Sequence, residues 1–324
     1  MKIFDNPNYN FIKWRWHAIT ASALVVLAGV VMIAVKGLPL GIDFSGGTAL
    51  VLQFDAPVNE QQVRDALDSI PGDKVVQVYG NPAERQIIVR LPQVVTAEQG
   101  TSLETGSQQI EQRLQSAGLP KATVISREIV GPVIGADLQR RGVLATLASI
   151  LAITVYIAFR FRPSFAIGAI VATLHDVFVT FAFLRFFNYE LSLNVVAAIL
   201  TITGYSVNDT IVIFDRVREN MRGSRRDSFE AQVNHAVNQT LSRTVITAGT
   251  AFLSVLALYI FGGEALAGFS FTMLVGIISG TYSTVFIASS IAIILSQKRA
   301  VAVAPPAAAV AAGRGRKPKG AKAS

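Results

Sequence analysis

Two acids, a histidine and an arginine stand where ionisable side chains are expensive. Asp176 lies in LHDVFVT with His175 beside it, Asp209 in GYSVNDTIVIFDR, and Arg243 in LSRTVITAGT, each inside or against a long apolar run. A carboxylate at the centre of a membrane helix costs about 2.5 to 3.5 kcal/mol on insertion scales, so it needs a partner, a wet cavity or a task. The task open to an acid and an arginine in that setting is proton or cation exchange. Bond-making chemistry is not expected, because no nucleophile or His-centred constellation accompanies these acids. With no cysteine and only His17, His175 and His235, a thiolate zinc site or iron–sulfur cluster is not expected either. No loop has the spacing of a phosphate-cradling motif. The reading is a protein that is not an enzyme, with neither cofactor nor metal.

Helical spacing strengthens the choice of residues. Asn194, Thr201, Tyr205 and Asp209 follow at intervals of seven, four and four, a polar stripe on one helix face, with Asn208 beside it. Arg243, Thr247, Thr250 and Ser254 make a second stripe at four, three and four. Lipid offers such stripes no hydrogen bonds, so they are expected to face each other or a shared wet seam, with Asp209 and Arg243 as a pair. Asp209, Arg243 and, as a further candidate, Asp176 are the expected proton-path residues, supported by Asn194, Thr201, Tyr205, Asn208 and Thr247. Thr173 and Thr180 share the face of Asp176 and are expected to satisfy it. His175, about 100° round the helix, ranks below it.

The elements that must position these groups are membrane helices. Of the 324 residues 51% are hydrophobic and 15% charged, and the mean hydropathy is +0.46. Six runs are long enough to cross a bilayer: 18–35, 142–159, 163–184, 191–214, 244–261 and 265–295. The first has basic residues before it but no small-x-small pattern after it, and reads as an uncleaved anchor. Asp209 falls six residues before Asp215, about 9 Å from a helix end placed there. Gly268, Thr272, Gly276, Gly280 and Thr284 give the last span a small-residue face for close packing.

Charge sets the orientation. The net charge is +8, yet residues 36–141 carry 10 basic against 12 acidic side chains. Of the other 19 basic residues, 18 fall in segment 1–17, the Arg160/Arg162 turn, segment 215–243 or the tail 296–324. Six spans put those segments on one side, so both termini are expected in the cytoplasm and the large domain outside, in an inner membrane. The basic excess is then topological, and nucleic acid is not an expected partner. In the cytoplasmic connection 215–243, Asp227 and Glu230 resemble a capping box. Phe229, Val233, Ala236, Val237 and Leu241 form the apolar face of a helix expected to lie on the membrane surface. The tail has no apolar periodicity and is expected to be disordered.

The segment 36–141 reads as an α/β domain. Strands are expected at 48–54, 74–78, 85–91 and 122–130, with helices at 58–70 and 101–118. That order, βαββαβ, is the ferredoxin-like split motif. In GIDFSGG, Gly46 and Gly47 are expected to serve a tight connection into the first strand, with a ligand role for Asp43 as the alternative.

These motifs carry a resemblance. GIDFSGG (41–47), VGPVIGADL (130–138), LHDVFVT (174–180), GYSVNDTIVIFDRVREN (204–220) and NQTLSRTVITAGT (238–250) resemble, in order, the motifs of the SecD/SecF family of protein-export membrane proteins. The resemblance implies six helices of a resistance-nodulation-division type transporter, completed by six of SecD. It also implies use of the proton or sodium motive force to draw an unfolded preprotein from the SecYEG channel after the ATP-driven motor has acted. It marks the acid of the NDT motif and the arginine of LSRT, here Asp209 and Arg243, as ion-path residues. A half-transporter for small molecules or lipids, and an assembly factor that moves no ions, are the alternative readings.

Overall fold

The computed structural model describes residues 7–70, 74–80, 82–91, 105–223 and 227–303. Among these residues six helices are long and apolar enough to cross a membrane. Helix α1 is Arg15–Lys36, and the short α2, Ile42–Ser45, follows it. The outer domain then supplies β1 (Gly47–Phe54), α3 (Glu60–Ala66), β2 (Val75–Val78), β3 (Gln86–Leu91), α4 (Thr105–Ser116) and β4 (Ala122–Val130). Helices α5 (Pro132–Arg160), α6 (Pro163–Phe186), α7 (Leu193–Gly223) and α8 (Phe229–Phe261) come next. The last span is α9 (Glu264–Ser283), a π turn at Thr284–Ala288, and α10 (Ser289–Val303).

The outer domain matches the expected order. Its sheet runs β2-β3-β1-β4 with every neighbour antiparallel, the ferredoxin-like arrangement. Leu50, Leu52 and Phe54 of β1 pack with Val63, Leu67, Val89, Ile110 and Leu114 into its own core. Gly46 and Gly47 turn the chain from α2 into β1 with φ of 69° and 122°, values that L side chains rarely adopt. The first residues of the expected helix 101–118 lie outside the described residues, and α4 ends just before Gly118, at φ 71°.

Several helices run past the limits that hydropathy sets, because backbone hydrogen bonding continues where side chains turn polar. Helix α1 begins at Arg15, three residues before the expected span. Helix α5 starts at Pro132 after the N-cap Gly131, so ten residues assigned to the outer domain belong to the second span's helix. Helix α7 continues nine residues beyond Phe214 to Gly223, which puts Asp209 about 21 Å, not 9 Å, from its end. The expected surface helix and the fifth span are one element, α8. Its apolar face does not lie on lipid: Val233, Ala236 and Val237 are buried with Phe165, Phe214 and Val217. Ser228 caps α8, accepting from the Ala231 N–H at 3.2 Å, in place of Asp227, and Glu230 pairs with Arg15 instead. Helix α10 extends to Val303, eight residues into the expected tail; residues 304–324 lie outside the described residues.

Burial sorts the six spans into two layers. The last span, α6 and α7 have 67%, 50% and 44% of their apolar windows buried, against 17% for α1 and 6% for α5 and α8. Small residues set the inner contacts. A Cβ on Gly276 would sit 2.2 Å from Ile202 Cδ1, and one on Gly280 3.0 Å from Ser206 Cβ, so the small face of α9 lies on α7. A Cβ on Gly168 of α6 would meet the Ala288 carbonyl oxygen at 2.6 Å. The π turn inserts one residue, so the positions that face α6 fall at Ser279, Ser283, Ala288 and Ala292.

Candidate functional site

Asp209 sits on α7 with one oxygen satisfied. Its Oδ1 accepts from Thr244 Oγ1 of α8 at 2.8 Å; Oδ2 is buried and has no hydrogen-bond partner among the described residues. Arg243, one residue before Thr244, lies within electrostatic reach, but no ion pair joins the two and the arginine is exposed. The expected ion pair is therefore absent, and Asp209 bonds Thr244 in its place. Around it, Asn194, Thr201, Asn208, Thr247, Thr250 and Ser254 are exposed and Tyr205 is partly so. Thr201, Thr250 and Ser254 bond their own helix carbonyls. The two stripes thus occupy faces that the described residues leave exposed, and among those residues they do not close on each other.

Asp176 is the opposite case. At 1% exposure it is sealed between α6, α7 and α9. Ser279 Oγ donates to Oδ1 at 2.7 Å, and Ser206 and Ser283 Oγ donate to Oδ2 at 2.6 and 2.7 Å. His175 Nδ1 lies 3.1 Å from Oδ1, so adjacency on the helix does not separate the two side chains. The expected partners are not used: Thr173 bonds the Ala169 carbonyl, and Thr180 bonds the backbone carbonyl of Asp176. Three hydroxyl donors from α7 and α9 meet on the two carboxylate oxygens, and they tie both helices to α6. Sequence reasoning missed this cage because its members come from separate helices. The four-residue step from Ser279 to Ser283 was the available signal.

A third cluster joins the outer domain to the membrane helices. Leu191 N–H donates to the Pro39 carbonyl at 2.7 Å, and Gly41 N–H donates to the Leu191 carbonyl at 2.8 Å. Asp43 Oδ2 accepts from Leu193 N–H at 2.9 Å, capping the first turn of α7. Asp43 is thus a cap. Arg90 of β3 forms an ion pair with Glu190, in the turn before α7. Burial pushes the Glu190 carboxyl above its ordinary value, and the Arg90 guanidinium opposes that rise.

The motifs on these three clusters place the chain among known proteins. The family model for the protein export membrane protein SecD/SecF, C-terminal, matches residues 109–298, and the SecD/SecF GG motif matches 31–58. The chain belongs to the SecD/SecF family. The protein translocase subunit SecF of Desulfurispirillum indicum is 40% identical over 283 residues, covering 86% of this chain and 89% of that protein. The protein of the same name from Escherichia coli O157:H7 is 38% identical, covering 90% and 89%. The crystal structure of SecDF, a translocon-associated membrane protein from Thermus thermophilus, superimposes with a TM-score of 0.80 at 34% identity. It covers 91% of this chain, while this chain spans 39% of the longer SecDF chain. Membership makes this a Sec translocase subunit and a multi-pass membrane protein.

Proposed function

We propose that this chain, paired with a SecD partner, uses the proton motive force to promote late preprotein translocation through SecYEG, after the ATP-driven motor. The observation that carries the reading is the half-satisfied carboxylate of Asp209, its free oxygen buried beside an exposed polar face, with Arg243, which makes no ion pair with any described residue, nearby. A proton acceptor needs an oxygen free to take the proton, and Oδ2 is that oxygen. Arg243 is the group that favours the ionised state when it closes on Asp209 and releases it when it withdraws. The drive is adequate: one charge moved through 100 mV releases about 2.3 kcal/mol, the equivalent of somewhat less than two pKa units. Asn194, Thr201, Tyr205, Asn208 and Thr247 line the stripes that a SecD partner would cover, since bare lipid cannot satisfy them. In this reading both termini are cytoplasmic, the membrane is the inner membrane and the outer domain meets SecD's outer domains.

The test is preprotein translocation into inverted vesicles carrying the chain and its SecD, wild type against Asp209→Asn, with and without an uncoupler. Co-purification with SecD establishes assembly. The expected result is an assembled variant that has lost only the uncoupler-sensitive part of translocation. An assembled variant that keeps that part intact removes Asp209 from the path.

A further inference from the structure

A groove on the basic side of the membrane bundle is lined by Arg160, Arg162, Arg218 and Arg222, with Phe161, Phe165 and Met221 among its other walls. Its volume is about 370 Å³, within the range of small-ligand sites. The four arginines come from two places. Arg160 and Arg162 flank the α5–α6 turn, while Arg218 and Arg222 stand one helical turn apart near the end of α7. Arg160 is held in place, its Nη2 on both oxygens of Asp215 at 2.9 and 3.1 Å and its guanidinium 5.2 Å from the Phe161 ring centre. Arg162, Arg218 and Arg222 are exposed and make no ion pair with any described residue. The nearest other acid on this stretch, Glu219, is engaged by Arg216 at 2.6 Å.

We infer that this groove binds the phosphodiester of an anionic phospholipid. Guanidinium groups present forked donors that match phosphate oxygens, and the three free ones converge on one volume. Membrane orientation alone needs only positive charge and is indifferent to lysine or arginine. Here every basic residue of the α5–α6 turn and of the last two turns of α7 is arginine. A lipid is favoured over a soluble phosphate by the rim. Phe159, beside Arg160, is 90% exposed, and the groove lies between the C-terminal ends of the membrane-spanning α5 and of α7 and the start of α6, where a lipid headgroup would sit.

The test uses the full chain reconstituted in equal amounts of phosphatidylglycerol and phosphatidylcholine, extracted in detergent, with retained lipid read by native mass spectrometry. The variants combine Arg162→Gln, Arg218→Gln and Arg222→Gln, or the same three positions to Lys. The Lys set preserves net charge and orientation. Wild type is expected to retain phosphatidylglycerol over phosphatidylcholine by about tenfold, with the Gln set losing the preference and the Lys set most of it. Equal retention of both lipids by wild type overturns the inference, as does an undiminished preference in either variant. A parallel arm adds inorganic phosphate: displacement at a concentration equal to the lipid's would make the site one for a free anion and overturn the lipid assignment.

Discussion

Asp176 and Asp209 are both carboxylates in apolar helices, and the molecule treats them in opposite ways. Asp176 is enclosed by hydroxyls from two other helices, so removing its carboxyl group disturbs three packed elements at once. Asp209 has one threonine on Oδ1 and a buried Oδ2 with no hydrogen-bond partner among the described residues, beside a polar face that those residues leave exposed. The same residue type at similar cost in lipid serves as a clasp in one place and as an exchangeable site, by our proposal, in the other. What distinguishes them is whether both carboxylate oxygens already have donors. A saturated acid has no oxygen to offer a proton without breaking helix contacts.

The comparison breaks or sharpens in a graded series of substitutions. Asp176→Ala would leave the hydroxyls of Ser206, Ser279 and Ser283 without their shared acceptor, and the loss is expected to reach about 3 to 5 kcal/mol. Thermal unfolding of the purified protein should then show the variant melting well below wild type, or failing to accumulate. Wild-type melting would mean that the cage is not a clasp. Ser283→Ala withdraws one donor of three, and about 1 to 2 kcal/mol is expected by the same assay. Asp209→Asn keeps the acceptor for Thr244, so its stability should stay within about 1 kcal/mol of wild type even as translocation loses its uncoupler sensitivity. Equal destabilisation by the Asp209 and Asp176 variants would erase the distinction.

Glu190 supplies a third carboxyl, outside the membrane, with the smallest expected effect. Burial raises its folded pKa above the ordinary 4.5 while Arg90 opposes the rise. A carboxyl that binds its proton more tightly folded than unfolded contributes stability fully below the unfolded pKa. That contribution is lost as pH rises through the folded value. The melting temperature of wild type, relative to Glu190→Gln, should therefore fall as pH rises from about 4.5 and level off above the raised value. A difference that does not change with pH would show that Arg90 cancels the burial.

The strands of the outer domain were legible to within a residue, because strand alternation and turn glycines are local signals, whereas the helix expected over 58–70 is only Glu60–Ala66 and the domain ends ten residues early. The final strand, Ala122–Val130, has the expected limits. The stripe around Asp209 was legible as well, since helical spacing holds along a single element. What spacing cannot carry is contact between elements. Thr173 and Thr180 were the natural partners of Asp176 on its own helix, yet their hydroxyls turn back to carbonyls four residues earlier while serines from α7 and α9 reach the carboxylate. The continuity of α8 escaped for a related reason. Its first half is polar on one side, and hydropathy reports the solvent around a helix, not where its hydrogen bonds stop.

The junction at Leu191 has a mechanical side. Three hydrogen bonds between positions 39–43 and 191–193 fasten the approach to β1 onto the head of α7, and Arg90 adds a fourth tie through Glu190. From Leu193 to Asp209 the chain is one uninterrupted helix of about 24 Å. A helix is stiff along its axis and the ties leave little slack. A tug on the outer sheet therefore arrives at Asp209 as displacement of a rod, with no hinge between the handle and the far end.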